Sequence, residues 1–209
     1  MNDQNNLPAQ HEPKPPVKVE AKRIVEDDGP LAFLLDTARF EHLQRISSTM
    51  ALAAFTPKHL KSSDKQESIA NCFRVVNQAI RWGMDPFAVC DETYIVGNRL
   101  GYQGKLIAAV INARAGLAAP LGVIYNQEKG DKLAAAIYGA SKEIPEEAYP
   151  LLKKYAETED AESHLHLTAM GVLVIRLAVG QSRTSNTMWD KDPQQKLFYS
   201  GATKWARRH

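Results

Sequence analysis

No apolar run in this sequence approaches the roughly 20 residues that a membrane-spanning helix requires. The N-terminus is polar and has no apolar h-region, so it does not read as a secretory signal, and a cytoplasmic protein without membrane contact is expected. Cysteine is scarce. Cys72 and Cys90 are the only two, each inside an apolar pattern rather than a spaced framework, so they read as core thiols in a reducing compartment. No glycine-rich loop ends in Gly-Lys-Ser/Thr, which excludes phosphate binding of the ATPase kind. There is no internal repeat. Acid is missing locally: from Thr93 to Gln127 there are three basic residues (Arg99, Lys105, Arg114) and no carboxylate.

What is present is ordinary in total and uneven in distribution. The chain has 209 residues, 44% hydrophobic and 24% charged, enough for one domain with tails, and its net charge of +2 names no partner. From Arg176 to His209 seven basic residues face two acidic ones, whereas from Ala140 to Glu162 seven acidic residues face three basic. Clustered positive charge beside local acid is the footprint of a directed anion site.

Along the chain, residues 1–28 carry Pro8, Pro13, Pro15 and Pro16 among polar residues, and such a segment is expected to stay a disordered tail. A core of residues 29–209 follows. Asp36 or Thr37 caps a helix to about residue 53, with Phe40, Leu43, Ile46 and Met50 on its apolar face, and Thr56-Pro57-Lys58 breaks it. Asp64 and Glu67 form a capping-box pattern for a second helix. Ile69, Cys72, Phe73, Val76 and Ile80 line one face of it. Arg74, Gln78 and Arg81 line another, either solvated or in contact with nucleic acid. Residues 121–126 and 133–138 read as strands joined by a turn at 128–131, and 171–177 as a buried strand or buried helix segment, with its Val and Ile content favouring strand. Residues 146–158 read as an exposed helix, with an acidic loop after it.

The stretch from Arg81 to Leu106 organises the rest. Gly83 closes a helix, Asp85-Pro86 caps the next, and Gly97-Asn98 joins the strands 93–96 and 99–102 in a tight hairpin. With 121–126 and 133–138, these are expected to make four antiparallel strands. Gln103-Gly104-Lys105 then brings a lysine to the first turn of a helix closed by Gly116. Outward N–H groups and the helix dipole favour an anion there, and Gly101 and Gly104 permit close backbone approach. Near the end, Asp190 to Pro193 starts a helix to His209. At about 100° per residue with Lys204 at zero, Arg207 falls near −60° and Arg208 near +40°, while Trp205, Phe198 and Ala202 fall between roughly 100° and 160°.

Trp82-Gly83-Met84-Asp85-Pro86-Phe87-Ala88-Val89, Thr93-Tyr94 and Leu100-Gly101-Tyr102-Gln103-Gly104-Lys105-Leu106 resemble the signature of the RecT family of phage recombinases, and more distantly the Red beta proteins. A second block agrees with it: Ser185-Asn186, Trp189, Asp192-Pro193, Leu197, Tyr199 and Trp205-Ala206-Arg207. The resemblance covers about residues 52–209. It implies ATP-independent annealing of complementary single strands by a DNA-bound homo-oligomer partnered by an exonuclease, with no catalytic residues, metal or cofactor. Such chains usually continue past Trp-Ala-Arg, whereas this sequence stops at His209. Partner contacts are therefore expected to be missing while the DNA surface persists.

The expected fold is α+β: a small antiparallel sheet, a β-hairpin plus two to three strands, packed against helices. The expected DNA-binding set is Arg99, Tyr102, Lys105, Asn186, Lys204, Arg207 and Arg208. Cations hold a backbone irrespective of sequence, and an aromatic ring stacks on any base. Tyr102 reads equally as a core or a stacking tyrosine, and Asn186 as a turn cap or a phosphate donor. Trp189 reads as packing, and Arg114 as a cation at a helix C-terminus. A nuclease is disfavoured, because the acid-x-Lys fragment Glu20-Ala21-Lys22 lies in the tail. His164 and His166 flank Leu165 without a third ligand and read as surface residues.

Overall fold

Among the described residues, five helices start on side-chain caps that the sequence supplies in place. A computed structural model describes residues 36–209, so the expected tail over residues 1–28 lies outside the described residues. Asp36 accepts the Arg39 N–H at 3.1 Å and opens α1, Thr37–Leu52. Asp64 accepts the Gln66 N–H at 2.9 Å and opens α2, Lys65–Trp82. The expected capping box is relayed rather than direct. Ser62 Oγ donates to Glu67 and accepts the Asp64 N–H, so the glutamate reaches the cap only through the serine. The face of α2 that is buried is Ser68, Cys72, Val75, Val76 and Ala79, and Ile80 is exposed.

α2 ends on Gly83, whose φ of +62° is the left-handed conformation. Asp85 then accepts the Phe87 N–H at 2.7 Å, with Pro86 in the first position of α3, Pro86–Asp91. β1 (Thr93–Val96) and β2 (Arg99–Tyr102) pair in register, and Gly97 and Asn98 both take positive φ, as a tight primed turn requires. Leu43, Met50, Cys72, Val76, Val89 and Leu106 form one core beneath these elements. Cys72 and Cys90 are free and buried there, and burial pushes the Cys90 thiol up to about 12.

α4, Gly104–Arg114, leads into a second sheet of β3 (Gly122–Tyr125), β4 (Ala134–Gly139) and β5 (Leu173–Ala178), antiparallel in the order β3-β4-β5. The fold is therefore α+β, but the hairpin does not join the other strands. Its Tyr102 ring meets Trp82 of α2 edge-on at 4.8 Å, so its inner face is spent on helices and not on a sheet edge.

β4 is buried on both sides, and its alternation sorts the helices. Ala135 and Ile137, paired with Leu177 and Ile175, face α4 and the last helix. Ala136, paired with Arg176, faces α5 (Ala148–Thr158) and the core that lies under it. α5 thus buries Ala148, Leu152, Tyr155 and Ala156, which corrects the expectation of an exposed helix. The acidic run after it is not a loop either: Glu159 turns the chain at φ +58°, and Asp160 caps α6, Ala161–Ala169. His164 and His166 lie on that helix, and the His164 ring lies tilted against Tyr155, with centroids 5.4 Å apart.

Two short helices, α7 (Val179–Ser182) and α8 (Met188–Lys191), lead to α9, Pro193–Arg208, where Asp192 accepts the Gln195 N–H at 2.9 Å. α9 buries Leu197, Ala202 and Trp205 against the sheet, each large side chain contributing about 1.5–3 kcal/mol of transfer free energy. Among the described residues, no helix is long and apolar enough to cross a membrane.

Candidate nucleic-acid interface

The site begins where the hairpin hands over to α4. Gln103 donates its N–H to Glu92 O at 2.8 Å, which closes the base of the hairpin and aims the first turn of α4 outward. No side chain caps that turn, so its N–H groups and the positive end of the helix dipole are available to an anion. Gly104 sets what stands opposite. A Cβ there would fall 2.6 Å from Tyr199 O and 2.8 Å from Tyr199 Cβ, so only glycine lets α4 start directly against α9. Gly101 answers a different need, lying beneath the ring of Tyr94, its cross-strand partner.

Between these elements runs a groove of about 1000 Å³. Tyr94, Val96 and Tyr102 of the hairpin form one wall, and Gly104 and Lys105 form its lip. The other wall is α9, with Lys196, Tyr199, Thr203, Lys204 and Arg207, and Thr184, Asn186 and Met188 close one end. Four cations therefore line it, and among the described residues no carboxylate does.

Five of the seven residues expected from sequence meet in this groove: Tyr102, Lys105, Asn186, Lys204 and Arg207. Arg99 is not in its lining. It stands across from Val96 at the distal end of the hairpin, exposed, on the hairpin side that carries Tyr94. Arg208 is also outside. α9 turns it toward α5, where burial pushes the Tyr155 phenol up and Arg208 is one of the charges that draws it back. At +40° on the wheel it had left the face that holds Arg207.

Three of the five also have partners within the protein. Lys105 Nζ sits 2.7 Å from Glu92 Oε1, so the cation is partnered across the hairpin base. Asn186 Oδ1 accepts the Met188 N–H at 2.9 Å, which is the turn-capping role. Tyr102 is half-buried, with its ring on Trp82 and its phenol pushed up by burial, so it both packs and lines the groove. The most exposed groove aromatic is Tyr94, at 42%.

Lys196, Tyr94 and Tyr199 were missing from the expected set. Lys196 was within reach of the same wheel, which puts it near about −80°, beside Arg207. Its Nζ stands 5.6 Å from the centre of the Trp189 ring. Trp189 itself is a packing residue, 3% exposed. Arg114 stands in the last turn of α4, as expected, and its Nε also donates to Trp82 O at 2.7 Å, at the C-terminus of α2. None of Arg74, Gln78 and Arg81 lines the groove.

The acidic segment lies on the other face of the second sheet and does not cover the groove. Part of its charge is used locally, Asp160 with Lys154 at 3.0 Å and Glu159 with Arg176 at 3.3 Å. Compared with protein-family models, curated proteins and solved structures, the chain matches none of them.

Proposed function

We propose that the groove holds single-stranded DNA by its backbone, and that the protein anneals complementary strands without nucleotide hydrolysis, as in phage-type homologous recombination. The observation that carries the reading is the lining: four cations, three tyrosines and, among the described residues, no carboxylate in one open channel. Phosphates sit on Lys105, Lys196, Lys204 and Arg207, and the tyrosine rings face sugars or bases whatever their identity. A strand gripped that way keeps base edges free to pair. The annealing step, continuation of the track through neighbouring protomers and an exonuclease partner rest on the resemblance to the RecT family.

The test is binding and annealing of labelled oligonucleotides without ATP or metal, over a salt series. Four phosphate contacts predict a slope of log K against log salt of about −3 for a single strand. Lys105→Ala and Arg207→Ala should each flatten the slope by about 0.7 and weaken binding alike across sequences. An affinity indifferent to salt would instead mark a protein-interaction module. Salt-dependent binding with no annealing would mark an accessory DNA-binding module.

A further inference from the structure

A smaller cavity of about 270 Å³ adjoins the groove, and four residues (Thr184, Lys196, Ser200 and Lys204) line both. At about 30 Å³ per water it is too large for one or two structural waters, and it falls just below the range of about 300–1,000 Å³ typical of whole small-molecule ligands. That is room for one heteroaromatic ring system. Its lining has two characters. Leu177 and Trp189 are 2% and 3% exposed and give it an apolar floor. The indole is held by its burial and by its Nε1, which donates to Thr184 Oγ1 at 3.2 Å. Gln181, Ser182 and Ser200 add polar groups. Ser182 Oγ is buried and has no hydrogen-bond partner among the described residues, an arrangement that is costly unless something else supplies one.

We propose that this side pocket receives one base of the bound strand, turned out of the track, while its flanking phosphates rest on Lys196 and Lys204. The inference rests on the groove being a strand-binding track. The hydroxyls rotate and a carboxamide offers both donor and acceptor, so the pocket takes a base without reading which one it is. Occupancy requires an unpaired base, and a duplex cannot fill it without breaking a pair. The pocket thus favours single strands over duplex, and its base must leave when a complementary strand pairs.

The test compares an oligonucleotide with a strand of the same length made of abasic residues, on wild type, Gln181→Trp and Ser182→Ala. Gln181 is exposed, so a tryptophan there fills the pocket from outside, and Ser182→Ala removes a pocket hydroxyl without adding bulk. Gln181→Trp should weaken the normal strand by about tenfold, with a smaller loss for Ser182→Ala, and both should leave the abasic strand unchanged. Unchanged abasic binding also reports an intact fold. If wild type binds both strands with the same affinity, or if Gln181→Trp weakens both equally or neither, the pocket proposal is wrong while the groove stands. If neither strand binds wild type in a salt-dependent way, the groove reading itself fails. Deoxyadenosine monophosphate that binds wild type at micromolar concentration and is lost in Gln181→Trp, with both strands binding alike, would assign the pocket to a free small molecule and overturn the proposal.

Discussion

Glu92 holds Lys105 at the lip of the groove, 2.7 Å from Oε1 to Nζ, while its other oxygen, Oε2, is buried with no hydrogen-bond partner among the described residues. A phosphate arriving at the first turn of α4 must compete with that carboxylate for the lysine. Glu92→Gln removes the competing charge and keeps the shape. We expect tighter single-strand binding and a steeper salt slope, measured by fluorescence anisotropy. A loss as large as that of Lys105→Ala would show instead that Glu92 serves to position the lysine.

Arg207 and Arg208 are adjacent in sequence and stand about 100° apart around α9, and only Arg207 lines the groove. Arg207→Ala should cost about tenfold in strand affinity. Arg208→Ala should change it by less than about twofold. Equal losses would mean that total charge matters and the groove does not.

Gly104 is the hinge of the site in a steric sense. Gly104→Ala places a methyl 2.6 Å from the Tyr199 carbonyl oxygen, a backbone atom that cannot turn aside. Overpacking of this kind costs about 1–3 kcal/mol, readable in the urea midpoint. Since α4 and α9 must move apart, strand affinity should fall with it. A variant as stable as wild type would contradict the close approach.

Arg114 and Gly83 are coupled. A Cβ on Gly83 would fall 1.3 Å from Arg114 Nη2, and the position needs φ +62°. Gly83→Ala should therefore cost about 1–2 kcal/mol of left-handed strain and also displace Arg114 from the Trp82 carbonyl. Arg114→Ala alone should cost about 1 kcal/mol. The double variant should be less destabilised than the sum by at least about 0.5 kcal/mol, and strict additivity would show that the two do not interact.

Asp160 gives a pH signature. Hydrogen bonds from Ser163 Oγ and N–H at 2.6 and 2.8 Å, with Lys154 beside them, lower its carboxyl from the ordinary 3.8 to about 2. A depressed folded-state pKa gives stability that is fully present above the unfolded value and is lost as pH falls toward the folded one. The difference in urea midpoint between wild type and Asp160→Asn should be flat above about pH 5 and shrink between about pH 4 and pH 2. A difference that persists unchanged at pH 2 would remove the carboxylate from the cap.

Much of the local structure was legible because its causes are local. Asp36, Asp64, Asp85 and Asp192 each accept an N–H two or three residues on, and Gly97-Asn98 turns the chain within two residues. One error is local: the acidic run after α5 was read as a loop, yet Asp160 within it caps α6 by accepting the Ser163 N–H. Another falls where distant partners decide. Nothing near the hairpin in sequence says whether it joins a sheet or rests on Trp82.

By itself the sequence determined which residues are cationic, which helix faces are apolar and where helices begin, since these depend on side-chain chemistry and a period of about 3.6 residues. Only the tertiary structure decided that Lys105 and α9 share a groove and that Glu92 takes one of its cations. The shared groove turns on the contact of Gly104 with Tyr199, two residues far apart in the chain. Steric fit at such a contact is a property of packed surfaces, and no local pattern encodes it.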